Sequence, residues 1–131
     1  HKRSTDESGK CNVLAADDNS VFGVLFSFNP AERAKLDRAE GVGCGYEHAM
    51  VTVINDKGRR RKVLTYIATP DYIDNSLKPY GWYKNFVLAG GREHGLPSGY
   101  IAEYIESVEA MPDPNKAREE KQRATLARPG R

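Results

Sequence analysis

A helix with both of its ends written in the sequence divides this chain. In Asn29-Pro30-Ala31-Glu32-Arg33-Ala34-Lys35-Leu36-Asp37-Arg38-Ala39-Glu40, Pro30 fits the first helical position and Asn29 can cap it. Glu32 sits where a capping-box partner belongs, and Gly41 supplies a left-handed stop. Both flanks of this helix read as strand. Upstream, Val21-Phe22-Gly23-Val24-Leu25-Phe26-Ser27-Phe28 has the β-branched and aromatic profile of a buried strand bent at Gly23, and Asn12–Ala16 reads as a shorter one. Downstream, His48–Ile54 alternates around Val51 and Val53, Asn55-Asp56-Lys57-Gly58 supplies turn chemistry, and Lys62–Ala68 answers as a second hairpin arm. Several strands around one helix predict the α+β class, with a small closed or curled mixed β-barrel and flanking helices.

The second half is predicted to be helical. Tyr83, Phe86, Val87 and Gly90 keep helical spacing, as do Ile101, Tyr104, Ile105 and Val108. Gly95 ends the first of these segments and Pro97 opens the second. After Met111-Pro112 the chain turns polar, so residues 1–112 are expected to form a single domain, with a polar basic helix or tail over 113–131. That stretch carries six basic and three acidic residues, which leaves residues 1–112 at −1 within a chain of formal charge +2. The folded part has no basic surplus for nucleic acid, and Arg59-Arg60-Arg61-Lys62 reads as edge protection at a hairpin. No apolar run approaches the ~20 residues needed to span a bilayer. Two cysteines, Cys11 and Cys44, provide no disulfide framework, and a reducing, cytoplasmic location is expected. Tyr80 and Trp82 could be surface or core, which leaves the oligomeric state open.

Few side chains here suggest chemistry by pattern alone. Gly41-Val42-Gly43-Cys44-Gly45 follows a helix and precedes a strand, the reverse of a dinucleotide loop, so its glycines serve close backbone approach to a ligand or a sharp reversal. Cys44 and His48 could form a thiol–imidazole pair, but no third orienting group is evident, and a packed Cys beside a half-exposed His accounts for them. Cys11, Cys44, His48 and His94 follow no metal-ligand spacing. Tyr46, Tyr66 and Tyr83 read either as core aromatics or as the walls of a cavity whose hydroxyls orient a polar ligand. Glu40 breaks a local rule. A carboxylate in the last helical turn opposes the helix dipole at a cost of roughly 0.3–1 kcal/mol. It is either an exposed partner of Arg33 or Lys35, or a functional group that needs this place.

Val21-Phe22-Gly23-Val24-Leu25-Phe26, Leu36-Asp37-Arg38-Ala39-Glu40-Gly41-Val42, Tyr83-Lys84-Asn85-Phe86-Val87 and Gly91-Arg92-Glu93-His94-Gly95-Leu96-Pro97 with Tyr100 resemble the γ-glutamylcyclotransferase (AIG2-like) family, in the family's order over about residues 9–110. The resemblance implies a small β-barrel with a cavity at one end, and cleavage of a γ-glutamyl amide to 5-oxoproline and a free amine. It places the catalytic glutamate on Glu40 and cavity tyrosines on Tyr66 and Tyr83, with Tyr46 matching a third at a one-residue offset and Gly41 beside the substrate. The family's Y-G-S-N loop, whose amides hold the glutamyl moiety, has no counterpart here. A chain shortened at its N-terminus is therefore expected.

The implied chemistry makes physical sense of Glu40. The substrate's α-amine can close a five-membered ring on its own γ-carbonyl, and well-oriented intramolecular attack contributes on the order of 7–11 kcal/mol. A carboxylate within hydrogen-bond reach would take the ammonium proton and return it to the leaving amine. An apolar cavity and the negative end of a helix both make a carboxylate a stronger base. The implied reaction requires no cofactor or metal. Its partner is a small γ-glutamyl substrate, with γ-glutamyl-amino acids, glutathione, γ-glutamyl-lysine amides and acylated secondary metabolites all open. The alternatives are a non-catalytic small-molecule binding or interaction domain of the same fold, and a thiol hydrolase built on Cys44 and His48.

Overall fold

The computed structural model describes residues 1–128. Residues 129–131, the end of the polar stretch expected over 113–131, lie outside the described residues. The strands are β1 (Lys2–Arg3), β2 (Gly9–Lys10), β3 (Tyr46–Ile54) and β4 (Arg60–Ala68). The helices are α1 (Arg33–Glu40), α2 (Gly81–Glu93), α3 (Ser98–Ile101) and α4 (Lys116–Ala127).

The helix before the glycine-rich loop forms with the expected ends. Asn29 Oδ1 accepts the Ala31 N–H at 3.0 Å, and Pro30–Glu32 is a 3₁₀ turn that leads into α1. Glu32 departs from the capping-box expectation, since its carboxylate turns to Lys35 Nζ at 3.5 Å. Gly41 is left-handed at φ 70° and ψ 44°. Its N–H donates to the Arg38 carbonyl at 3.2 Å, and the Val42 N–H donates to the Asp37 carbonyl at 3.0 Å. This pair of bonds is a Schellman closure, and it holds the last turn of α1 rigidly beside the start of β3.

β3 and β4 pair antiparallel over their full length, from Tyr46 opposite Ala68 to Ile54 opposite Arg60. Asn55 Oδ1 closes the connecting loop by accepting the Lys57 and Arg59 N–H groups at 2.9 and 2.8 Å. The two-residue periodicity of strands then puts Tyr46, His48, Tyr66 and Ala68 on one face. The short β1 pairs antiparallel with β2, and Lys2 also bridges to Ile73.

The α+β class holds, but the closed barrel does not form among the described residues, where two two-stranded sheets are present. Nor do Asn12–Ala16 and Val21–Phe28 form strands. Val21, Phe22, Val24, Leu25, Phe26 and Phe28 are exposed, each at 40% or more. The physical reason is that β-propensity becomes a strand only where a neighbour takes up the backbone donors and acceptors. Phe22 and Phe26 instead make edge contacts with Tyr100 and His94, at 5.1 and 5.6 Å between ring centroids.

The helical half packs on itself. Gly91 of α2 is buried, and a Cβ there would lie 3.5–3.7 Å from side-chain carbons of Ile101 and Ile105, both buried. α3 runs on into a π turn over Ala102–Glu106. α4 starts with Asn115, whose Oδ1 accepts the Arg118 N–H at 3.0 Å. The buried Asp113 carboxylate accepts two bonds from the Arg118 guanidinium at 2.6 Å and one from Trp82 Nε1 at 2.9 Å. The polar C-terminal stretch is thus helical over 116–127 and lashed to α2 through one carboxylate.

Candidate active site

The corner between α1 and the β3–β4 hairpin collects most of the residues singled out by the sequence. Glu40 is half-buried at the end of α1. It makes no ion pair with Arg33 or Lys35, since Lys35 is taken by Glu32. Its charge acts to raise the proton affinity of Tyr46, Tyr66 and Lys2.

Each tyrosine hydroxyl has a defined partner. Tyr46 donates to the Cys11 carbonyl at 2.7 Å, and Tyr83 accepts the Cys11 N–H at 3.1 Å. One residue's backbone therefore ties the start of β3 to the first turn of α2. Tyr66 donates to Asp37 Oδ1 at 2.6 Å, and His48 Nε2 meets the same oxygen at 2.8 Å. Burial pushes Tyr46 up to about 12, with the Glu40 charge adding to it. Burial also pushes Tyr66 up to about 12, helped by its hydrogen bond to Asp37. Tyr83 lies higher still, chiefly from burial. The hydrogen bond from Tyr66, and then that from His48, hold the Asp37 carboxyl below the usual carboxylate range.

Gly41 shapes this corner through its backbone conformation. The N–H groups of Gly41, Val42, Gly43 and Cys44 all donate to carbonyls within residues 37–46. The loop's visible task is to stop α1 directly after Glu40 and return the chain into β3. Lys2 carries no signal in the sequence that would mark it as a site residue. It is 7% exposed, and its ammonium lies 4.9 Å from the Tyr46 ring centroid and 5.6 Å from that of Tyr72. Among the described residues it has no carboxylate within ion-pair distance. Burial lowers its proton affinity.

Asp37 is a second residue that sequence reasoning misses, although a signal exists. It stands three residues before Glu40, and positions three apart share a helix face. His48 proves to have an orienting carboxylate, but that carboxylate is shared with Tyr66, and Cys44 lies exposed in the turn. Among the described residues no cluster of three metal-ligating side chains occurs. Two open clefts lie elsewhere, one between Phe22 and Tyr100 and one between Phe26 and Val63.

Residues 20–104 match the family model described as the AIG2-like family. The chain belongs to the AIG2-like family. Among curated relatives, it is 30% identical to the γ-glutamylcyclotransferase of Bos taurus, over 88% of this chain and 60% of that protein. It is likewise 30% identical to that of Homo sapiens, over 85% of this chain and 55% of the relative. Similar solved structures include a γ-glutamyl cyclotransferase, with a TM-score of 0.61 at 24% identity, covering 73% of this chain and 57% of that one. Another is an uncharacterized protein from Homo sapiens, with a TM-score of 0.60 at 25% identity, covering 72% and 56%. This AIG2-like chain thus spans little more than half the length of the proteins it matches. Within the described residues no helix is long and apolar enough to cross a membrane.

Proposed function

We propose that this AIG2-like domain acts on a γ-glutamyl amide as a γ-glutamyl cyclotransferase, with Glu40 as its acid/base. The observation that carries the reading is the convergence on Glu40. Glu40 is a half-buried carboxylate without an ion-pair partner among the described residues. It lies in the same last turn of α1 as Asp37, which holds Tyr66, and the chain returns from it to Tyr46, which Cys11 ties to Tyr83. The names of the relatives support the same substrate class.

Glu40 takes a proton from the substrate's α-ammonium, and the freed amine nitrogen attacks the γ-carbonyl carbon. A carbon–nitrogen bond forms in the five-membered ring and the original amide bond breaks. The proton on Glu40 passes to the leaving nitrogen, and the ring nitrogen, which still carries two hydrogens after attack, gives one of them to the departing amine. A neutral lactam, an ammonium product and the Glu40 carboxylate remain at the end of the turnover. The tyrosines wall the substrate and fix the conformer in which the amine faces its own carbonyl, where most of the acceleration arises. The barrel implied by the family belongs to this proposal, with β3 and β4 as two of its strands.

The test is release of 5-oxoproline from γ-glutamyl-amino acids by the protein that carries this chain. Glu40→Gln is expected to lower kcat about 10²–10⁴-fold with the fold intact. Equal rates would remove Glu40 from the mechanism. Tight ligand binding without turnover by the unmodified protein would instead identify a binding domain.

A further inference from the structure

We infer that Asp37 is a positioning residue that fixes the hydroxyl proton of Tyr66, so that Tyr66 meets the ligand as a hydrogen-bond acceptor for an amine or amide N–H. The inference rests on the cyclotransferase reading only for the identity of that ligand.

A phenol has one proton to give, and an ionised carboxylate can only accept. The 2.6 Å contact from Tyr66 to Asp37 Oδ1 is in the range of a charge-assisted bond, so the Tyr66 proton is committed. The Tyr66 oxygen then offers only lone pairs to anything else. His48 meets the same carboxylate oxygen from β3 at 2.8 Å, so its Nε2 must carry a hydrogen, and Asp37 is held from two sides. The charged groups facing this pair are Arg33 and Glu40 from α1 and His48 from the sheet.

The other two hydroxyls are read by the same logic. Tyr46 spends its proton on the Cys11 carbonyl and is likewise left as an acceptor. Tyr83 accepts the Cys11 N–H, and its own hydroxyl is engaged with the Cys11 side chain, so it stays tied to Cys11. The oxygens of Tyr46 and Tyr66 are therefore the two acceptors. An amine or amide N–H belongs on the Tyr46 and Tyr66 side. A plain staple between α1 and β4 would use the same bond, but removing it would leave the preference between ligands unchanged.

The experiment uses the complete protein labelled with 3-fluorotyrosine, whose more acidic phenols titrate in an accessible range, with Tyr66 assigned by Tyr66→Phe. In Asp37→Ala the proton affinity of Tyr66, read by ¹⁹F NMR, falls at least about tenfold. Asp37→Asn keeps the shape and an acceptor oxygen but loses the charge, and gives a smaller fall. In parallel, affinity is measured for L-glutamine and for its des-amino analogue glutaramate. The unmodified protein prefers the amine-bearing ligand by about tenfold or more, and the preference collapses in Asp37→Ala. An unchanged Tyr66 proton affinity, or an unchanged preference in the folded variants, overturns the inference. If the proton affinity falls but neither ligand binds the unmodified protein, the proton placement stands and the γ-glutamyl reading fails.

Discussion

Replacing Gly45 by alanine tests how tightly Lys2 is built into the corner around Glu40. Gly45 has φ 131°, a conformation that strains any side chain by about 1–3 kcal/mol. An added Cβ would also lie 2.6 Å from Lys2 Cε, 2.8 Å from Nζ and 3.3 Å from the Tyr72 ring. The lysine must yield, and its ammonium leaves its seat over Tyr46, forfeiting about 0.5–2 kcal/mol of cation–π attraction. Gly45→Ala should therefore cost about 2–4 kcal/mol in urea unfolding. Gly43 provides a matched control, with φ 85° and open space where a Cβ would go, so Gly43→Ala suffers the strain alone. In a Lys2→Ala background the contact disappears, and Gly45→Ala should cost about 1–2 kcal/mol less than in the natural sequence. A cycle that closes additively within about 0.5 kcal/mol would refute the claim that Gly45 exists to seat Lys2.

Gly90 lies inside α2, and a Cβ there would meet nothing within 4 Å. Gly90→Ala should raise stability by about 0.5–1 kcal/mol and Tm by about 2–8 °C, and a lower Tm would contradict the open space at that position. The Arg118 guanidinium, with help from Trp82 and the Asn115 N–H, holds the Asp113 carboxyl well below the usual carboxylate range. A carboxyl depressed in the folded state contributes stability that is fully present above its unfolded value of about 3.9 and is lost as pH falls through the lower folded value. Asp113→Asn should therefore lower Tm at neutral pH and flatten the loss of Tm between about pH 4 and pH 2, which calorimetry at several pH values would show.

Features set by neighbours along the chain are legible in the sequence alone. Pro30, Asn29 and Gly41 state where α1 begins and ends, and the alternation of β3 and β4 around Asn55-Asp56-Lys57-Gly58 states a hairpin. Val21–Phe28 reads as a strand and is not one, because a strand is a relation between two segments, and eight residues of high β-propensity do not say what lies beside them. Glu40 is visible because it violates the helix-dipole preference. Asp37 shares that last turn and is open to the same argument, whereas Lys2 violates no local rule. The partners of both stay hidden until the fold sets Tyr66 and His48 against the one and Tyr46 against the other. The helix over 116–127 is written in its Asn115 cap, but its attachment depends on Asp113 finding Trp82, thirty-one residues away.

Trp82 is the chain's single tryptophan. Its indole N–H is bound to the carboxylate that lashes α4, its ring stands edge-on to Tyr83 at 6.1 Å, and the Lys10 ammonium lies 4.8 Å from its centre. One fluorophore is thereby wired to two separate parts of the molecule. Release of α4 would remove a hydrogen bond from the excited indole, while rearrangement at Tyr83 would alter the electric field across it. The protein carries its own optical gauge, readable without any label.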